Sequence, residues 1–135
     1  MTLHEDKTLF GDVIAACAED MKIAEEYVEK DYWLCYLLKK LSNSSYKEQV
    51  VFKGGTSLSK VYKIIERFSE DIDLGLLCHD MSASQVKPFM KKIESAMLDA
   101  HFIELKEHPS MSKGSKFRKT VFEYPRITSG DFGHA

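Results

Sequence analysis

Two adjacent glycines stand where a short apolar run gives way to a helical pattern. The run at 49–52 is followed by Lys53 and then by Gly-Gly-Thr-Ser at 54–57. A glycine turn that leads into a helix lets backbone N–H groups approach an anion, and the helix N-terminus adds a partial positive charge. Lys53, two hydroxyl groups and Lys60 add donors and positive charge. This segment predicts a phosphate site; the alternative is a tight turn followed by a helix N-cap.

A pair of aspartates forms the second group with chemical potential. Asp71 and Asp73 are two residues apart in a segment where Ile72 and Leu74 alternate with them. On a strand this spacing puts both carboxylates on one face, about 7 Å apart along the backbone. Such a pair suits Mg²⁺ and the two-metal chemistry of nucleotidyl transfer. The alternative is the solvated face of an edge strand.

Other classes of site do not match these spacings. The glycine pair lacks the Gly-Lys-Ser/Thr ending of a Walker loop and the third glycine of a dinucleotide-binding fingerprint. The aspartate pair lacks the ligand pattern of an EF-hand, and the five histidines form no zinc-binding spacing. We therefore expect a site for a nucleoside triphosphate and divalent cations.

Periodic apolar residues predict the elements that must position these groups. Helical spacing predicts two N-terminal helices at 8–21 and 24–41, a third from 56 or 57, and a fourth from 82 or 84 to about 100. Strand patterns occur at 49–52, 71–76, 102–107 and 116–124, and the last two predict a hairpin. The predicted core face of the first helix consists of Phe10, Val13, Ile14, Cys17 and Met21. The expected fold class is α/β of the α+β type: a small mixed sheet flanked by helices, with two N-terminal helices.

Length and composition set the broad class of the protein. A chain of 135 residues can bury one core, so we expect a single domain with a helical lead-in at 1–45, a core carrying both motifs at 46–125 and an irregular tail at 126–135. The net charge of −2 provides no global basic surface for nucleic acid. Three scattered cysteines and the lack of a leader or a membrane-length apolar run favour a cytoplasmic protein with no membrane association.

The two motifs, in this order and at this spacing, resemble the AbiEii/AbiGii toxin family, nucleotidyltransferases of the DNA polymerase beta superfamily. The resemblance rests on Phe-Lys-Gly-Gly-Thr-Ser-Leu-Ser-Lys at 52–60, Arg-Phe-Ser-Glu-Asp-Ile-Asp-Leu at 67–74 and Glu-Lys-Asp-Tyr-Trp at 29–33. It implies a polymerase-beta-like core and an enzyme of a bacterial toxin-antitoxin or phage-defence system.

The resemblance also implies roles for individual residues. Asp71 and Asp73 are the implied catalytic residues and metal ligands, with Mg²⁺ as the cofactor. The substrate is a nucleoside triphosphate, with GTP as a candidate, and the acceptor is RNA such as tRNA, or a protein. A cognate antitoxin is an expected partner. The implied substrate-binding residues are Gly54, Gly55, Thr56, Ser57, Lys53, Lys60, Arg67 and Ser69.

Family members continue into a further strand with a third acidic residue and into a helical C-terminal region, so the resemblance implies a truncated chain. Glu123 is the internal candidate for that third carboxylate, and the alternative is an ordinary surface glutamate. Two further hypotheses stay open: a non-catalytic domain that binds nucleotide or a partner, and a remnant that self-associates through an open sheet edge.

For each of two other groups of residues there is a functional interpretation and a purely structural one. Trp33 and its neighbours Tyr32 and Tyr36 can frame a nucleobase, although their helical context favours core packing. A basic cluster can contact RNA or the triphosphate, although a solvated loop and strand end is the favoured interpretation. The cluster consists of Lys113, Lys116, Arg118 and Lys119.

Overall fold

The computed structural model describes residues 2–53, 72–78, 80–106, 112–113 and 118–128. Within these residues the α-helices are α1 (Lys7–Met21), α2 (Glu25–Ser42) and α3 (Ala83–Met97), and two 3-10 turns span Leu3–Glu5 and Lys47–Gln49. The strands are β1 (Val50–Lys53), β2 (Asp73–Leu76), β3 (Ile103–Glu104), β4 (Ser112–Lys113), β5 (Arg118–Lys119) and β6 (Phe122–Glu123).

The strands pair in antiparallel fashion, β1 with β2, β3 with β6, and β4 with β5. The α+β class is therefore confirmed, and all four predicted strand segments contain strands. The predicted hairpin is confirmed by the β3–β6 pair, with β4–β5 between its two arms in the sequence. All strand pairs among the described residues are antiparallel. The mixture of parallel and antiparallel strands that the sequence predicts is therefore not seen in these residues. The predicted third helix lies outside the described residues.

Local capping signals set the ends of the helices. The Asp6 carboxylate accepts a hydrogen bond of 3.0 Å from the Leu9 backbone N–H at the start of α1. Lys22, with a left-handed φ of 58°, ends that helix. The backbone N–H of Ser82 donates to Gln85 Oε1 at 2.9 Å, which starts α3 as the sequence predicts. Among the helices of the described residues, none is long and apolar enough to cross a membrane.

One hydrophobic core joins the three helices to the β3–β6 region. Helix α2 packs against both α1 and α3. Trp33 is completely buried, and its ring makes edge-on contacts with Tyr36 and Phe102. Trp33 is therefore a core residue and not part of an exposed base-binding surface. The buried members of the core are Phe10, Ile14, Trp33, Leu37, Leu41, Phe89, Ile93, Met97, Phe102 and Tyr124.

Helix α1 buries a narrower stripe than its periodicity predicts. Phe10, Ile14 and Ala18, spaced four residues apart, are buried on one line along the helix. Cys17 and Met21 are exposed, and the prediction that they belong to the core is wrong. Cys17 projects about 100° around the helix from Ala18, away from the buried line. Met21 is the last residue of α1, three residues after Ala18, which is the last buried residue of the helix.

A polar cluster connects α2 to the segment that follows α3. The Asp99 carboxylate accepts hydrogen bonds from the Tyr36 hydroxyl, from Lys40 Nζ at 2.9 Å and from the His101 backbone N–H at 2.9 Å. Burial alone would raise the pKa of Asp99, but these donors outweigh burial and hold the pKa well below its ordinary value of 3.8. Burial, together with Asp99, raises the pKa of Tyr36 to about 12.

His4 connects the N-terminal segment to the same cluster. Its ring centroid lies 4.8 Å from that of Trp33 and 4.8 Å from that of His101, and its Nδ1 lies 2.7 Å from the Tyr32 hydroxyl. Burial and then His101 lower the pKa of His4 below its ordinary value of 6.5, against the weaker opposing effects of Glu5 and Asp99. The folded protein therefore resists protonation at His4 more than the unfolded chain does.

This lowered pKa predicts a loss of stability in mild acid. As the pH falls through about 6.5, the unfolded chain takes up a proton at His4 that the folded state resists, so the free energy of unfolding decreases. The substitution His4→Gln removes the titrating group and should flatten the decrease between about pH 7.5 and pH 5. Urea denaturation at a series of pH values measures both curves, with pH 8 as the reference at which His4 is neutral in both states. An equally steep decrease in His4→Gln would assign the effect to another group.

Candidate nucleotide site

Strands β1 and β2 bring one residue from each predicted motif together. Their antiparallel register pairs Lys53 directly with Asp73 and Val51 with Gly75. Lys53 is the last residue of β1 and Asp73 is the first residue of β2, so both lie at the same end of the pair. Directly opposed residues in such a ladder have Cα atoms about 5 Å apart. The lysine of the glycine motif and the second aspartate of the acidic motif are therefore neighbours.

The two faces of the β1–β2 pair have different environments. Val50, Leu74 and Leu76 are partly buried and pack against the hydrophobic core. Lys53 and Asp73 belong to the opposite face, because side chains alternate along a strand, and both are exposed. The apolar face thus anchors the pair to the protein and leaves the two charged groups accessible to a ligand.

Most of the predicted site residues lie outside the described residues. Their assignments stay predictions from the sequence. Among the described residues, the structure brings together Lys53 and Asp73 of the predicted set. The residues concerned are Gly54, Gly55, Thr56, Ser57, Lys60, Arg67, Ser69 and Asp71.

Asp73 supplies one of the two predicted metal ligands. Its exposed carboxylate is the hard oxygen donor that Mg²⁺ prefers, and its exposure leaves room for the water ligands that Mg²⁺ usually retains. No group of three or more His, Cys, Asp or Glu side chains suited to a metal occurs in the described ranges, which do not include Asp71. The donor chemistry of Asp73 fits Mg²⁺, and the two-ligand site stays a prediction.

Glu123 lies on a different sheet from Asp73. It is an exposed residue of β6 and pairs with Ile103 of β3, whereas Asp73 pairs within β1–β2. Among the described residues, Glu123 and Asp73 therefore belong to separate strand pairs and are not neighbours within one sheet. The ordinary interpretation of Glu123, a surface glutamate on a strand, is the one that this position favours.

Glu29 has a structural role that the sequence interpretation missed. Its carboxylate is completely buried and accepts hydrogen bonds from the backbone N–H of Ile127 at 2.7 Å, the backbone N–H of Thr128 at 3.1 Å and the Thr128 hydroxyl at 2.6 Å. It therefore fastens the segment after β6 to helix α2. The available signal was its spacing, because Glu29 precedes Trp33 by four residues and Leu37 by eight on the buried side of α2.

At least one cation of the predicted basic cluster is engaged within the protein. The Arg118 guanidinium binds both carboxylate oxygens of Glu94, with distances of 2.7 Å and 3.0 Å, and Thr120 donates to the same carboxylate at 2.8 Å. This bidentate pair fixes β5 to α3, and the Glu94 hydrogen bonds raise the pKa of Arg118. Lys119 is exposed, while Lys116 lies outside the described residues. Arg118 is therefore a structural cation in this fold.

Comparison with known proteins agrees with the motifs and with the α+β architecture. The sequence model of the family described as the nucleotidyl transferase AbiEii toxin of a type IV toxin-antitoxin system matches residues 36–134. The matched range includes both motifs and the β1–β2 pair, while the segment 29–33 lies before it. No curated protein and no solved structure shows significant similarity to the chain. Because the family match covers most of its length, the chain belongs to the AbiEii nucleotidyl transferase toxin family.

Proposed function

We propose that this chain binds a nucleoside triphosphate together with Mg²⁺ and transfers a nucleotide to an RNA or protein acceptor, for which tRNA is the first candidate. Family membership supports nucleotidyl transfer within a toxin-antitoxin system, and with it a cognate antitoxin. The observation that carries the proposal is the direct pairing of Lys53 with Asp73 on the exposed face of β1–β2. The glycine motif follows Lys53 in the chain, and Asp71 precedes Asp73 by two residues.

The basic and acidic residues of the candidate site have different proposed roles. Lys53 would bind a phosphate oxygen, and the backbone N–H groups and hydroxyls of the motif at 54–57 would bind the remaining phosphate oxygens. Asp71 and Asp73 would hold Mg²⁺, which supplies positive charge against the triphosphate and the departing pyrophosphate. The acceptor hydroxyl oxygen would form a bond to the α-phosphorus and lose its proton to solvent, while the bond to the departing pyrophosphate breaks. The protein contributes mainly by positioning the reactants, so no covalent protein intermediate is needed.

Calorimetric titration of GTP and then ATP, with and without Mg²⁺, tests this proposal on the intact chain. We expect Mg²⁺-dependent binding that weakens at least about tenfold in the double variant Asp71→Asn/Asp73→Asn, because the charge that holds the ion is lost. The variant Asp12→Asn removes one exposed carboxylate from α1 and serves as the matched control. A folded wild-type chain that binds neither nucleotide in the presence of Mg²⁺ would overturn the proposal.

A binding role without catalysis is the second candidate function. The position of Glu123 on another sheet favours it, because this glutamate does not complete a set of three carboxylates with Asp73 in one sheet. Incubation with α-³²P-labelled nucleotide and tRNA separates the two functions. Binding with no label transferred to RNA or protein supports the binding role, and label transfer supports the enzyme.

A further inference from the structure

The exposed face of β1–β2 continues beyond the charged pair into an apolar surface. Val51 is 50 % exposed and Leu77 is 51 % exposed, and Gly75 lies directly opposite Val51 and two residues before Leu77. The Leu77 backbone N–H donates to the Gln49 carbonyl at 2.8 Å, so the ladder extends one residue past β2. Leu77 is therefore on the same face as Asp73 and Gly75, because side chains alternate along the strand.

Among the described residues, no contact or irregularity of the strand explains why residue 75 is a glycine. Its register with Val51 belongs to an unbroken four-residue ladder, so it is not the site of a β-bulge. A Cβ atom at this position would lie 3.8 Å from the Val51 carbonyl oxygen and 3.9 Å from Lys53 Cδ, which are ordinary contact distances among the described residues. Glycine weakens the interior of a strand, and apart from bulges and bends it marks sites where a ligand or another backbone approaches closely.

We propose that Val51, Gly75 and Leu77 form the platform on which the nucleobase of the nucleoside triphosphate lies. The inference rests on the proposed function, since it extends the same site from the phosphates to the base. Gly75 lies about 7 Å and Leu77 about 13 Å along the strand from Asp73. A charged end next to a flat apolar surface matches a nucleotide, which carries its charge on the phosphates and a planar ring at the other end. A ring stacked on this face contacts apolar side chains and the bare backbone at Gly75.

The incoming nucleotide suits this surface better than an acceptor base does, because the platform is continuous with the phosphate-binding lysine. Lys53 follows Val51 by two residues on the same face of β1, and its Cδ lies close to the position that a Gly75 side chain would occupy. The stem of Lys53 thus borders the platform. One nucleotide can contact both parts.

A substitution that adds a side chain at Gly75 tests the inference. Valine favours strands and an added Cβ makes no close contact among the described residues, so Gly75→Val should keep or raise the urea unfolding midpoint. We expect the same variant to bind ATP and GTP about tenfold more weakly, because the ring loses its contact with the strand. Inorganic tripolyphosphate, which has no base or ribose, should bind the variant with Mg²⁺ as it binds the wild type. A merely structural glycine would not separate the two ligands in this way.

A second pair of variants checks the apolar contact. Leu77→Ser should weaken ATP and GTP binding severalfold, whereas Ile103→Ser, which alters an exposed isoleucine on the separate β3–β6 pair, should leave it unchanged. Unaltered nucleotide affinity in Gly75→Val and Leu77→Ser would overturn the platform and leave the proposed function standing. A decrease limited to the apparent affinity for the acceptor RNA would also overturn it, as would equal weakening of tripolyphosphate. Failure of the folded wild type to bind either tripolyphosphate or nucleotide would overturn the proposed function itself.

Discussion

Asp73→Asn should lower the rate of nucleotidyl transfer by about a hundredfold or more, while the protein stays folded. Asparagine has nearly the same shape as aspartate but no charge, so the variant loses the attraction for Mg²⁺ and for the charge that the ion neutralises. Removal of one well-placed electrostatic partner from an active site typically costs two to three powers of ten, on the order of 10²–10³ in rate. Transfer of α-³²P-labelled nucleotide to tRNA, measured under single-turnover conditions, gives the rate.

The position of Asp73 predicts that Asp73→Asn lowers the rate of transfer without lowering the stability of the fold. It is an exposed residue at the first position of β2, opposite Lys53, and the core contacts of the strand come from its other face. The unfolding midpoint of Asp73→Asn should therefore stay close to that of the wild type. Asp12→Asn, with its exposed carboxylate on α1, should transfer nucleotide at the wild-type rate. Undiminished transfer by Asp73→Asn would remove Asp73 from the catalytic site.

Trp33→Ala should lower the free energy of unfolding by about 3–5 kcal/mol, which is the usual cost of removing a large buried aromatic side chain. Trp33 is 0 % exposed and its ring contacts Tyr36, Phe102 and His4, so the substitution leaves a cavity where the N-terminal 3-10 turn, α2 and the residue before β3 meet. A typical domain is stable by about 5–15 kcal/mol, so a loss of this size removes a large fraction of the total. Urea denaturation followed by circular dichroism measures it; fluorescence is unsuitable because Trp33 is the only tryptophan.

Trp33→Phe is the matched control for this prediction. The indole Nε1 is buried without a hydrogen-bond partner among the described residues, so phenylalanine removes an unsatisfied donor while it keeps much of the aromatic packing. We expect the loss in Trp33→Phe to be well below that in Trp33→Ala. If Trp33→Ala unfolds at the wild-type urea concentration, the core is not packed around this residue.

Local sequence patterns predict the three helices of the described ranges and strands β1, β2 and β3. The predicted strand at 116–124 is divided into β5 and β6, and β4 lies in the segment predicted as a loop. The repeats of Phe10 and Ile14, of Trp33 and Leu37, and of Phe89 and Ile93 each predict an amphipathic helix because 3.6 residues complete a turn. Alternation around Asp73 and Leu74 likewise predicts a strand. The order and spacing of the glycine and aspartate motifs carried the family resemblance, which the family match at 36–134 confirms. All these features depend on residues that are close in the chain.

Which distant side chains meet depends on long-range packing, which local sequence patterns do not specify. The sequence does not specify that Lys53 lies opposite Asp73, because strand register depends on both strands and on the core beneath them. It does not show that Glu29 is buried by partners 98 and 99 residues away, nor that Glu94 binds Arg118. Cys17 and Met21 match the helical period yet stay exposed, because periodicity indicates an apolar side of a helix without showing how much of it another element covers. Local pattern thus determined the elements and the candidate chemistry, and long-range packing determined which charges are buried, which are paired and which face a ligand.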